Sequence, residues 1–123
     1  MADTITVALR KALRTKLKTL CSDVSYRVAR GGHSGPFIIF SLSQVLDDDA
    51  VWPSTVYVDV LDRGQDTTGV ETLADNIWMA LDHYFYLVDG LGFTVYQQSR
   101  AEIDEENESL NHLRLNFTLR LYK

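Results

Sequence analysis

The segment that most constrains this chain is its last dozen residues. From His112 to Lys123, Leu113, Leu115, Phe117, Leu119 and Leu121 alternate with Arg114, Asn116, Thr118, Arg120 and Tyr122. Successive side chains point to opposite faces of a strand, so this period of two predicts a strand with one face on a core and the other toward solvent. On this reading the chain ends inside its own sheet, and no tail, linker or second domain is expected beyond it. The remaining elements must then supply neighbouring strands and a cover for the apolar face.

Two segments read as that cover. Over 4–20, Ile5, Leu9, Ala12, Leu13, Leu17 and Leu20 recur at spacings of three and four, one apolar stripe of a helix. Arg10, Arg14 and Lys18 line the opposite side with Lys11 beside them. Lys16 falls inside the apolar arc and must either snorkel at the core edge or meet a partner. A second helix is expected from Thr68 to about Phe85, with Val70, Leu73, Ala74, Ile77, Trp78, Leu81, Tyr84 and Phe85 as its stripe. Thr68 and Glu71 have the spacing of a capping box, in which side chains satisfy the unpaired amides of a first turn.

Between and after the helices lie extended segments. A short strand is expected near Val24–Val28. Gly31-Gly32-His33-Ser34-Gly35-Pro36 is a connection, and its proline biases the preceding residue toward extended backbone. Phe37–Leu42 is apolar enough to be covered on both faces over part of its length. In Thr55–Leu61, Val56, Val58 and Val60 share one face while Tyr57 and Asp59 share the other. Gly90 and Gly92 break the chain before a strand at Phe93–Gln98. The expected order is α-β-β-β-α-β-β, an α+β fold with a mainly antiparallel sheet and both helices on one face. One domain spans residues 1–123, a length sufficient for a core without staples.

Composition narrows the function classes. A single cysteine, Cys21, cannot form an internal disulfide, so the fold does not require an oxidising compartment. No apolar run approaches the roughly 20 residues of a membrane-spanning helix, and the first residues lack signal-peptide character, so folding in a cytoplasm and no membrane partner are expected. The net charge of −5 argues against a surface built to hold nucleic acid. Charge is also unevenly placed: basic residues crowd the first helix, while Asp47, Asp48, Asp49 and then Glu102, Asp104, Glu105, Glu106 and Glu108 crowd two connections. Such polarity favours docking between protein surfaces.

No catalytic constellation is expected. Gly32-His33-Ser34-Gly35 lacks the G-x-S-x-G spacing and precedes a strand instead of joining a strand to a helix. His33, His83 and His112 are too scattered to read as metal ligands, and neither acidic run has the order of a calcium loop. No glycine-rich phosphate loop occurs, so no cofactor is expected. Thr72, Asp75, Met79, His83 and Tyr86 fall opposite the core stripe of the second helix. Met79 and Tyr86, two turns apart, therefore mark a candidate subunit contact, with Arg10, Arg14 and Lys18 as its electrostatic complement.

These elements in this order resemble the lambda-type tail terminator (tail completion) proteins of long-tailed bacteriophages. The resemblance runs over nearly the whole chain: the first helix, Pro36-Phe37-Ile38-Ile39-Phe40, Val56-Tyr57-Val58-Asp59-Val60, Val70-Glu71-Thr72-Leu73-Ala74-Asp75-Asn76-Ile77, the Ala80-Leu81 helix end, the strand after Gly92, and the alternation from Asn111-His112-Leu113-Arg114-Leu115. It implies a virion protein of the tail neck, assembled in the host cytoplasm. Six copies would form a ring that caps the tail tube, stops its polymerisation and joins it to a head–tail connector or stopper protein. The genome DNA would pass through this ring without sequence-specific binding, and acidic loops would suit such a channel because like charge keeps DNA from adhering. Other readings are another neck or head–tail joining protein, a small hydrolase using Ser34 and His33, and a ligand-binding module.

Overall fold

The computed structural model describes residues 4–27, 35–47, 50–64, 66–105 and 110–122, and for 44–47 and 50–54 the backbone alone. Two helices and six strands follow one another as α1 (Ile5–Lys18), β1 (Val24–Tyr26), β2 (Phe37–Asp47), β3 (Ala50–Arg63), α2 (Thr68–Leu81), β4 (Tyr84–Val88), β5 (Leu91–Glu102) and β6 (Leu110–Tyr122). The strands form one sheet in the order β1-β2-β3-β6-β5-β4, antiparallel except for the parallel β1–β2 edge pair. This is the expected α+β architecture, with one more strand than the sequence pattern indicated.

The closing alternation places β6 at the centre of the sheet. Leu113, Leu115 and Phe117 stand opposite Val60, Val58 and Val56 of β3, while Leu119 and Leu121 stand opposite Val95 and Phe93 of β5. Those side chains make the floor of the core, and most are completely buried. The helices close it from above with Leu9, Ala12, Leu13 and Leu17 of α1 and Val70, Leu73, Ala74, Ile77 and Leu81 of α2. At about 25 cal/mol per Å² of apolar surface removed from water, such side chains each contribute about 1.5–3 kcal/mol, so the two stripes fix both helices on one face.

Helix α1 begins at Thr4, whose hydroxyl accepts a hydrogen bond from the amide of Val7. The start of α2 departs from the expected capping box. Thr67, not Thr68, is the N-cap residue and makes no side-chain bond to the helix amides. Asp66 instead accepts from both the amide and the hydroxyl of Thr68, and the Thr67 hydroxyl donates to Glu71. Asp66 offers a carboxylate to the exposed amide, a stronger acceptor than a hydroxyl.

The larger correction concerns the end of α2. The helix stops at Leu81, not near Phe85: Asp82 is extended, His83 takes a positive φ of 60°, and Tyr84–Val88 forms β4. The local chemistry favours this outcome. Tyr-Phe-Tyr-Leu-Val is an aromatic and β-branched run suited to a strand. Asp89-Gly90 then closes a two-residue hairpin, with φ of 50° and 82° and Val88 paired to Leu91. Asp-Gly is the residue pair that such a turn favours, because both positions need positive φ.

Candidate functional site

The face of the sheet away from the helices carries Tyr57 and Asp59 of β3 beside His112 and Arg114 of β6. Register places Asp59 opposite Arg114, two positions along from the Leu61–His112 pair and on the same face. Asp59 Oδ1 lies 2.7 Å from His112 Nε2 and 2.8 Å from Arg114 Nε, and Arg114 Nη2 reaches Asp59 Oδ2 at 3.3 Å. On its other side, His112 Nδ1 lies 2.6 Å from Glu105 Oε1. The result is a carboxylate–imidazole–carboxylate clamp. It ties the β5–β6 connection to the centre of the sheet, helped by the Ile103 amide bonding to the His112 carbonyl. Arg114 also stacks over the Tyr57 ring at 5.4 Å.

The side chains of Asp59 and His112 are each only 10% exposed. Burial by itself would push the Asp59 carboxyl up, but bonds from His112 and Arg114 outweigh it and hold the group below its ordinary value. Burial would likewise push the His112 imidazole down, yet the hydrogen bonds to Asp59 and Glu105 reverse this and raise it. Charged partners on both sides favour an imidazolium that donates from both nitrogens.

Chemically, such a group fixes structure. With both ring nitrogens turned to carboxylates, His112 has no lone pair to accept a substrate proton while the clamp is closed. The nitrogens face away from each other across the ring, so the two carboxylates do not converge on a common point, as metal ligands would. The histidine expected at the start of the last strand thus sits beside the buried Asp59 carboxylate. Asp59 was legible as the odd acidic residue in an apolar strand, but only the register shows what pairs with it. A cleft of about 300 Å³ lies next to the clamp, between the first turn of α2 (Thr67, Val70, Glu71) and the connection carrying Glu102, Asp104 and Glu105.

The proposed contact on α2 is rearranged. Met79 is 73% exposed on the helix, but Tyr86 lies on β4, where its ring stacks on Phe93 at 5.0 Å on the helix-facing side of the sheet. Met79 and Tyr86 therefore do not share a helix face. His83 occupies the α2–β4 turn, 3.1 Å from Asp82 and edge-on to Tyr96. Asp75 pairs with Arg100 at 2.9 Å. In place of that face, the outer side of β4 exposes Phe85 (58%) and Leu87 (64%), with Phe85 in ring contact with the half-exposed Tyr122 of β6.

Of the basic residues on α1, Arg10 stacks on Tyr26 and Lys16 on Tyr84, at 5.5 and 4.8 Å. Arg14 is half-buried and Lys18 is exposed. Among the acidic candidates, Glu102 and Asp104 are exposed, Glu105 holds His112, and Asp47 closes β2. His33, Ser34, Asp48, Asp49, Glu106 and Glu108 lie outside the described residues.

No family model matches the sequence, and no curated protein matches it. The fold, however, is shared with solved structures. A chain in the virion of a native gene transfer agent particle superposes with a TM-score of 0.76 at 14% identity, covering 98% of each chain. A second solved chain superposes with a TM-score of 0.55 at 11% identity over 93% of this chain and 97% of the other. At these identities the likeness establishes the fold.

Proposed function

We propose that this protein is a structural, non-catalytic component of a phage-like virion, and specifically a tail terminator. The observation that carries this reading is the end-to-end likeness to a chain of the gene transfer agent virion, in which neither chain has a sizeable segment left over. The sequence pattern supports the finer assignment independently, through its resemblance to the lambda-type terminator family. The clamp supports a structural role as well, since its only titratable histidine is committed to holding the sheet and its connection together.

In this role six copies form a ring on the head-proximal end of the tail tube, end its growth and present a surface to the connector, with the genome passing through the centre. The net charge of −5 suits a ring that must let DNA slide without holding it. The test is electron microscopy of tails made with and without this chain. Tubes of defined length bearing a terminal ring are expected when it is present, and tubes of uncontrolled length when it is absent. Unchanged tube length in its absence would leave a neck or head–tail joining protein as the better reading, because the shared fold belongs to a virion chain without fixing a position in the particle.

A further inference from the structure

Strand β4 is an edge strand that is apolar on both faces. Tyr84 and Tyr86 point to the helix side, Phe85 and Leu87 to the other, and β5 is its one partner among the described residues. Natural proteins blunt such edges with charges, prolines or short length, because a free apolar edge pairs with any strand that reaches it. Here the five residues from Tyr84 to Val88 contain no charge and no proline. A groove of about 700 Å³ runs alongside, with Ala8, Ala12 and Lys16 of α1 on one wall and Tyr84, Tyr86 and Val88 of β4 on the other. Ala8 and Ala12 leave room on the helix wall, Lys11 and Lys16 make it basic, and Lys16 reaches across to the Tyr84 ring at 4.8 Å, so an entering strand takes the place of that contact.

The same chain carries a segment that matches this groove. Strand β3 pairs with β6 only from Thr55 onward, and β1 pairs with β2 only at 38–40. Residues 44–47 and 50–53 pair with each other alone, after a register shift at Ser43/Gln44, as a two-stranded arm extending past the sheet. Its sequence includes the apolar residues Val45, Leu46, Val51 and Trp52, and the sequence joining its two strands is Asp47-Asp48-Asp49. Each arm strand is about as long as β4. The arm continues the direction of β2 and β3, whereas β4 lies three strand spacings away, about 14 Å across the sheet, with β6 and β5 between.

We infer that the paired strands 44–47 and 50–53 of one copy add to the free edge of β4 in the next, whose α1 wall is opposite in charge to the aspartates in the sequence joining them. Backbone bonds along the edge would supply affinity, and the aspartate–lysine match would set direction. One patch meets a different patch, so the contact is heterologous and can close into a ring. The inference rests on the assembly reading above and specifies the subunit contact within it.

Two variants test it by sedimentation velocity, each checked for folding by circular dichroism. In one, residues 45–52 are replaced by Asn-Gly, which closes the hairpin early but leaves the groove. In the other, Leu87→Lys with Val88→Lys charges the edge but leaves the arm. Wild type is expected to form oligomers, each variant alone is expected to be monomeric, and an equal mixture is expected to give a one-to-one heterodimer, because one intact arm and one intact groove remain. If the edge variant does not fold, Lys11→Glu with Lys16→Glu replaces it, with recovery expected from a partner carrying lysine at 47–49. Oligomers of the shortened-arm variant indistinguishable from wild type would overturn the inference and leave β4 to a different partner. A wild-type chain that stays monomeric would overturn it as well, leaving the terminator reading to be decided separately at the tube end.

Discussion

Asp59 Oδ1 and His112 Nε2 lie 2.7 Å apart although the two residues are 53 apart in sequence, and their side chains are largely buried on the face of the sheet away from both helices. Arg114 satisfies the same carboxylate and Glu105 the far side of the ring, so each charge in the group has an opposite neighbour. Removing the Asp59 charge leaves the largely buried His112 ring short of a partner, which usually costs more than the intact pair contributes. Asp59→Asn should therefore destabilise the fold by about 2–4 kcal/mol. Chemical denaturation should show the loss as a lower midpoint with unchanged slope; a midpoint within error of wild type would mean that the cluster is solvated and dispensable.

The clamp also sets a pH dependence. His112 has a raised folded-state value, so its contribution is complete below the unfolded-state value of about 6.5 and is lost as pH rises through the higher folded value. Asp59 has a lowered value, so its contribution is present above about 3.8 and is lost as pH falls through the lower folded value. Melting temperature should accordingly be higher near pH 6 than near pH 8. His112→Gln should remove that difference, and a profile of the same shape in the variant would assign the dependence to other groups.

Met79 and Tyr86 should respond differently to the same substitution. Met79→Asp falls on open helix surface and should change stability by no more than about 0.5 kcal/mol. Tyr86→Asp removes a ring stacked on Phe93 at the edge of the core and should cost about 2–3 kcal/mol. Thermal melts of the two single variants separate these effects, and equal melting temperatures would return Tyr86 to an exposed surface.

Within the acidic connection, the carboxylates divide by role. Glu102→Lys with Asp104→Lys alters exposed positions and should leave the melting temperature nearly unchanged, and in the proposed terminator role it should impair tail joining or DNA passage. Glu105→Lys places a cation against the His112 ring and should lower stability more than the other two together. Wild-type virion yield from the folded double variant would mean that those two charges serve only solubility.

The core of aromatic and aliphatic side chains under α2 offers a control on the fold itself. Phe117 is completely buried on β6, opposite Val56 and in ring contact with Trp78 at 5.3 Å. Phe117→Ala should cost about 3–5 kcal/mol, the usual loss when a buried ring leaves a cavity. A smaller loss, measured by denaturation, would show that α2 can settle into the space.

Periodicity alone determined much of this protein. The alternation of β6, the valines of β3 and the stripes of α1 and α2 each bury one face whatever their partners are, so local sequence reports them directly. The end of α2 was hidden for a related reason: Tyr84 and Phe85 continue a helical spacing from Leu81, while Asp89-Gly90 just beyond gives the hairpin signal that decides against it. What tertiary structure alone decided is pairing. Asp59, Glu105, His112 and Arg114 are four ordinary polar residues in sequence, and they become one paired cluster around a buried carboxylate only when β3 and β6 take their register and the β5–β6 connection folds back. The exposed edge at β4 has the same origin. Whether a strand is central or at an edge depends on which strands flank it in the sheet, a long-range relationship that no local pattern carries.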